Sequence, residues 1–268
     1  MMFCTFGRRR PGTSLICAWA LCACLACVAV SCEPSAKLYA LQYGTSMFPS
    51  SEVFATLPPG TAKEISFAWL FYLVKTPDAT VLIDTGFRDE ALAKRFGITF
   101  VDPVAVLKKA GFAPESITDI IITHAHFDHI GSVDAFPNAR IHIHTGAYKS
   151  FLDAPSMPHI ASFLRENRNV FQFDSIYKLG YSITVYPVEG HAYGSCSVEI
   201  LLPSGRIVLT GDEAYVDENV NQAIPVGSSV NPQANMEFLV QTKKSGVRFF
   251  TFHSPNVVGP GRTWKLIE

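Results

Sequence analysis

Three histidines and an aspartate fall within six consecutive positions, His124, His126, Asp128 and His129, directly behind the apolar run Ile120, Ile121, Ile122. The chain holds only eight histidines in 268 residues, so this concentration is the strongest constraint on its fold. The β-branched run predicts a buried strand. Side chains alternate along a strand, so His124 and His126 leave its end on the same side, and Asp128 and His129 open the next turn facing back toward them. Neutral imidazole and ionised carboxylate are the donors that zinc and similar divalent cations take. Four of them this close can serve more than one metal.

The same placement recurs downstream. His191 follows a strand ending at Val188, Asp212 follows Ile207, Val208 and Leu209, and His253 follows a run from Phe249 to Phe252. Each alone is an ordinary polar strand end, but together with the first cluster they make seven donors at one kind of position, as a dinuclear site requires. Asp84 closes a predicted strand over residues 80–83 and would also face the site. The remaining histidines read differently. His142 and His144 alternate with Ile141 and Ile143 and are expected on the polar face of a strand, and His159, behind Met157 and Pro158, in a surface loop.

Further strands are expected at 37–43, 65–74, 119–123, 139–144, 182–188, 195–202, 206–210 and 247–252. Residues 44–60, with Pro58, Pro59 and Gly60, read as a loop whose Met47, Phe48 and Phe54 either pack onto the core, the favoured reading, or line a pocket mouth. Asp102 before Pro103 and Asn231 before Pro232 cap two helices that stop at Gly111 and Gly246. Strands interleaved with helices, with hairpins among them, predict an α/β class with mixed sheets.

The N-terminus reads as an export signal. Arg8, Arg9 and Arg10 precede an uncharged, largely apolar stretch over 15–30, and the sequence Ala29, Val30, Ser31, Cys32 is similar to the lipobox of bacterial lipoproteins. Residues 1–32 are therefore expected to be a signal peptide or lipoprotein-type membrane anchor, and the mature protein to be exported and membrane-attached. Cys4, Cys17, Cys22, Cys24, Cys27 and Cys32 all lie in this segment, which leaves Cys196 as a lone buried thiol in a body without internal disulfides. With 22 basic against 23 acidic residues, nothing suggests a nucleic-acid partner.

From about residue 37 to the end the chain resembles the metallo-β-lactamase-fold hydrolases. The family's HxHxDH stretch, distant His, Asp and last His stand here as His124, His126, Asp128, His129, His191, Asp212 and His253. The resemblance implies a four-layer αβ/βα sandwich with two mixed β-sheets over residues 33–268. It implies two divalent metal ions, zinc first, with iron or manganese as alternatives. His124, His126 and His191 would hold one, Asp128, His129 and His253 the other, with Asp212 bridging and Asp84 orienting a ligand histidine. An acidic bridge is unlike true β-lactamases, and the short stretch 254–268 after His253 is unlike glyoxalase II. Gly211, Asp212, Glu213, Ala214 and Tyr215 are similar to the N-acyl-homoserine lactonase branch, in which a tyrosine three residues past the bridging Asp reaches the substrate carbonyl. Ala192, Tyr193 and Ser254 depart from that branch.

The implied activity is opening of a lactone or ester, similar to N-acyl-homoserine lactones, by hydroxide generated at the metal pair. Tyr215 would steady the oxyanion, and Asp128 would pass a proton to the departing alkoxide. The residues leave open a phosphodiesterase or phosphorylcholine esterase of the same fold, and a non-catalytic metal-binding surface lipoprotein. A small molecule is the expected partner, and the sequence specifies no oligomeric state.

Overall fold

In a computed structural model describing residues 36–268 apart from residue 154, alternation along one aromatic strand sets the layering. Phe67, Trp69, Phe71 and Leu73 point one way, and Ala68, Leu70, Tyr72 and Val74 the other. All are buried, so both faces of this strand must be covered. The expected export and anchor segment, residues 1–32, lies outside the described residues. Among the described residues no helix is long and apolar enough to cross a membrane.

The strands in chain order are β1 (Lys37–Pro49), β2 (Glu64–Lys75), β3 (Thr80–Ile83), β4 (Thr99–Phe100), β5 (Asp119–Ile122), β6 (Arg140–His144) and β7 (Val170–Phe173). They continue as β8 (Tyr177–Leu179), β9 (Ile183–Pro187), β10 (Cys196–Leu202), β11 (Gly205–Leu209), β12 (Arg248–Phe250) and β13 (Trp264–Leu266). The α-helices are α1 (Ser50–Val53), α2 (Glu90–Arg95), α3 (Pro103–Lys109), α4 (Phe127–Ile130), α5 (Thr145–Asp153), α6 (Pro158–Glu166), α7 (Asp217–Gln222) and α8 (Pro232–Ser245).

One sheet has the order β13-β1-β2-β3-β5-β6-β7, with β4 also on β1; the other has the order β12-β11-β10-β9-β8. Both are mixed: β3, β5, β6 and β7 run parallel to one another, as do β11 and β12, while the remaining pairs are antiparallel. Ile121, Val81 and Tyr72 meet Val185, Val198 and Ile207 between the sheets. Ile120, Ile122 and Leu82 face outward onto Val106, Leu107, Ala147 and Ile160 of the helices. α8 lies on the far side of the second sheet, where Leu239 and Phe238 meet Phe249. This is the expected four-layer αβ/βα sandwich with two mixed β-sheets.

Two helix ends follow their sequence signals. The Asp102 carboxylate accepts from Val104 N at 2.7 Å, and Asn231 Oδ1 accepts from Ala234 N at 3.2 Å, ahead of Gly246 with φ of 64°. Cys196 is buried on β10. Residues 44–49 differ from the expected loop. β1 passes a bulge between Gln42 and Gly44 and stays paired to β2 as far as Pro49. Gly44 permits this, since a Cβ there would lie 2.8 Å from Ile98 Cγ2. His159 sits on α6, exposed, rather than in a loop.

His142 and His144 are also corrected, because both are buried between the sheets rather than on a wet face. His142 Nε2 donates to Asp119 Oδ1 at 2.8 Å, and its Nδ1 accepts the Tyr177 hydroxyl at 2.9 Å, so that β6 is tied to β8. Arg140 Nε completes the group at 2.8 Å from Asp119 Oδ1. Burial would raise the Asp119 carboxyl, but the hydrogen bonds from His142 and Arg140 outweigh it and bring it from 3.8 down to about 2. Its stabilising contribution is therefore complete above about pH 4 and disappears as pH falls toward 2. Asp119→Asn is expected to lower stability at neutral pH, with the deficit shrinking across that acid window. Urea unfolding of both proteins at stepped pH measures it.

Candidate metal centre

Every donor predicted from the sequence lies at the same edge of the sandwich. Asp84 follows β3, His124 to His129 follow β5, His191 follows β9, Asp212 follows β11, and His253 lies just beyond β12. At three of these ends the chain reverses sharply. Asp84 (φ 64°), Glu189 (φ 59°) and Gly211 (φ 56°) are all left-handed, and Asp84 and Glu189 hold this conformation although they carry a Cβ.

The donors form two sets. His124, His126, His191 and Asp212 make one, and Asp128, His129, His253 and Asp212 the other, with ligand atoms in each set within 4.8 Å of one another. Asp212 belongs to both through different oxygens. Its Oδ2 lies 3.5 Å from His124 Nε2 and 3.6 Å from His191 Nε2. Its Oδ1 lies 3.2 Å from both His129 Nε2 and His253 Nε2. Asp128 Oδ2 closes the second set at 3.3 Å from His129 Nε2 and 3.7 Å from His253 Nε2. In the first set His126 Nδ1 is 3.0 Å from His191 Nε2. His126 is exposed, whereas the other donors are buried.

His124 Nε2, His129 Nε2 and Asp212 Oδ1 are buried without a hydrogen-bond partner among the described residues. Buried polar atoms are rarely left so, and these three lie inside the donor sets, so the residues fit a pair of cations held by nitrogen and oxygen. Charge points the same way for the buried histidines of the first set. Burial pushes His124 well below its ordinary range and takes His191 down to about 3, which leaves both neutral with lone pairs available. Burial would lower His129 too, but Asp212, Asp128 and Asp84 together hold it well above the usual value. Burial would raise Asp212, yet His129, His253 and His124 keep it well below the ordinary carboxylate range.

The second ring nitrogens are held in turn. His129 Nδ1 is 2.6 Å from Asp84 Oδ2, and Asp84 also accepts from the Thr123 N and Oγ1, each at 2.7 Å. His253 Nδ1 donates to Ala68 O at 2.8 Å, and its ring stacks on Phe67 at 4.2 Å. Tyr43 donates to Asp128 O at 3.0 Å, and Thr85 Oγ1 to His129 O at 2.9 Å. Tyr43, Thr85 and Thr123 escape a reading for donors because they act through backbone atoms or neighbours, although Thr85 adjoins Asp84 and Thr123 adjoins His124. Glu213 escapes it as well, and its only signal was its place beside Asp212.

A cavity of about 250 Å³ opens onto His126, Asp128, Asp212 and His253, with walls of Phe48, Phe67, Trp69, Phe96, Phe127 and Tyr215. Phe48 takes the pocket-lining alternative, stacking on Phe67 at 4.4 Å and helping to form this wall, whereas Phe54 is buried and Met47 exposed. A larger hollow of about 680 Å³ between α8 and the second sheet contains none of the seven donors, so the chemistry belongs to the smaller one. Tyr215 Oη is 2.9 Å from Ser228 Oγ, and burial keeps the phenol well above its ordinary range, hence protonated.

The chain matches the metallo-beta-lactamase superfamily over residues 70–241. An N-acyl homoserine lactonase of Bacillus sp is 30% identical over 208 residues, covering 70% of this chain and 80% of that protein. One from Rhizobium johnstonii is 27% identical over 249 residues, covering 82% and 93%. Among solved structures, a quorum-quenching N-acyl homoserine lactone lactonase superposes with a TM-score of 0.71 at 25% identity, over 82% of this chain and 92% of that one. A dizinc quorum-quenching lactonase shares the fold, with a TM-score of 0.67 at 21% identity over 87% and 95%.

Replacing the carboxylate behind His129 tests how far this support matters. Asp84→Asn is expected to weaken metal binding by about 10–100-fold, read by chelator competition on the folded variant.

Proposed function

The chain belongs to the metallo-beta-lactamase superfamily, and on that footing we propose that it is a two-metal hydrolase opening N-acyl-homoserine lactones or closely similar lactones and esters. The observation that carries the two-metal reading is Asp212, whose oxygens address separate donor sets, Oδ2 toward His124 and His191 and Oδ1 toward His129 and His253. When bound there, divalent cations supply Lewis acidity that brings the pKa of water toward neutrality and polarises a carbonyl.

The protein's own residues do the rest. His124, His126 and His191 would hold one cation and Asp128, His129 and His253 the other, with Asp212 belonging to both sets. Tyr215, protonated and lining the cavity, donates a hydrogen bond to the carbonyl oxygen as it gains charge. Asp128, also on the cavity wall, takes up the proton released by the attacking water and passes it to the departing alkoxide. Phe48, Phe67, Trp69, Phe96 and Phe127 accept the apolar part of the substrate and keep water from the reacting carbonyl.

Against a phosphodiesterase, no lysine or arginine is among the cavity's described lining residues, so a phosphodiester's negative charge would find no cationic side chain beside it there. Zinc suits the mixed histidine and aspartate donors, and iron and manganese are the alternatives.

Metal content and hydrolysis of a homoserine-lactone series beside a phosphodiester test the proposal together. Two metals per chain with chelator-sensitive lactone opening support it, whereas activity on the phosphodiester alone sinks the substrate assignment. Asp128→Asn is expected to lower kcat by about 10²–10⁴-fold while metal is retained, and unchanged turnover would remove its proton-transfer role.

An exported, lipid-anchored location is part of the proposal and rests on residues 8–32 alone. Incorporation of labelled fatty acid should be lost in Cys32→Ala, and retention of the label would reject Cys32 as the lipid site.

A further inference from the structure

Resting on the two-metal reading, we infer that Glu213 is a positioning residue for His191, its buried carboxylate holding the loop that carries this ligand against the residue next to the bridging Asp212. Glu213 is fully buried. Its Oε1 accepts from Gly190 N at 3.2 Å, His191 N at 3.2 Å and Ser195 Oγ at 2.5 Å. Its Oε2 accepts from His191 N at 3.1 Å and Asn235 Nδ2 at 2.7 Å. All these partners are neutral donors, and all but Asn235 lie on the loop between β9 and β10. Asn235 donates also to the Glu213 carbonyl at 2.8 Å, which anchors the group to α8.

The fit leaves no slack at the loop. A Cβ at residue 190 would stand 2.3 Å from Glu213 Oε2 and 2.7 Å from the Asn235 backbone, so glycine is required there for the carboxylate to reach both amides.

His191 needs such a hold because its ring lacks the one its neighbours have. A ligand histidine is normally oriented through its second nitrogen. Asp84 does this for His129 at 2.6 Å, and the Ala68 carbonyl does it for His253 at 2.8 Å. His191 turns Nε2 toward His126 and Asp212, while its Nδ1 is buried with no hydrogen-bond partner among the described residues. Its orientation must therefore come from the backbone, and the backbone is held by Glu213. Since Glu213 directly follows Asp212, one short segment fixes both the bridging ligand and, at one remove, the third histidine of the first set.

Glu213→Gln keeps the shape but turns one acceptor into an amide that meets N–H donors. Ser195→Ala removes a single donor and spares the carboxylate. The readouts are metal stoichiometry of the dialysed holoenzyme, chelator competition, and the visible spectrum of the cobalt-substituted protein. The wild type should hold two metals. Glu213→Gln should hold one tightly, with the other weakened about 10–100-fold and the cobalt bands altered, and Ser195→Ala should fall between. Two metals and a wild-type cobalt spectrum in both variants, even with a lowered thermal midpoint, would overturn the inference and leave Glu213 a purely structural group. If Glu213→Gln does not fold, Ser195→Ala decides alone on the same readouts. Fewer than two metals in the wild type would instead remove the two-metal reading, and the inference with it.

Discussion

The carboxylate of Asp212 is buried among imidazoles on two sides, and the rest of the site is arranged around keeping it there. An isolated buried carboxylate costs several kcal/mol. Here His129, His253 and His124 offset that cost so fully that the group lies well below its ordinary range. The imidazoles require orientation in turn, which the Asp84 carboxylate gives to His129 and the Ala68 carbonyl to His253. Charge therefore descends in shells, from the centre to buried acids behind the histidines, and each acid is met by amides or hydroxyls rather than by lysine or arginine.

The sandwich makes this possible because its strands end at one edge. β3 and β5 bring Asp84 and the histidine cluster side by side from the first sheet, and β9, β11 and β12 bring His191, Asp212 and His253 from the second. Cys196 N donates to Thr123 O at 2.9 Å, so the two sheets touch beside the first ligand. The left-handed backbone at Asp84 and Glu189 is unfavourable for residues with a Cβ, yet it lets the chain turn from a fully buried strand into the donor loops without an intervening helix turn.

The aromatic wall joins the cavity to the donor centre. Phe67 serves two ends at once, stacking on His253 and forming part of the cavity together with Phe48. The strand that holds the His253 ring thus also shapes the cavity surface. Phe48, Phe96 and Phe127 touch the cavity without stacking on His253, and they are the freer positions for specificity to change.

The sequence by itself determined the donors and their setting. Seven candidate donors, each just beyond a run of apolar β-formers, were legible because strand periodicity and metal-donor chemistry are local properties, and the helix caps at Asp102 and Asn231 were legible for the same reason. Asp84 was legible as a residue facing this edge from its place at a strand end. The residues alone did not divide the donors into sets; the family resemblance implied the grouping and tertiary structure supplies it, because it depends on which strands of two sheets become neighbours. Tertiary structure alone revealed Tyr43, Thr85 and Glu213, whose side chains act on backbone groups far away in sequence and carry no spacing pattern. It also turned His142 inward, since a period-two alternation shows that a side chain leaves one face of a strand but not that a second sheet, bearing Tyr177, covers that face. Periodicity assigns faces; packing assigns what each face meets.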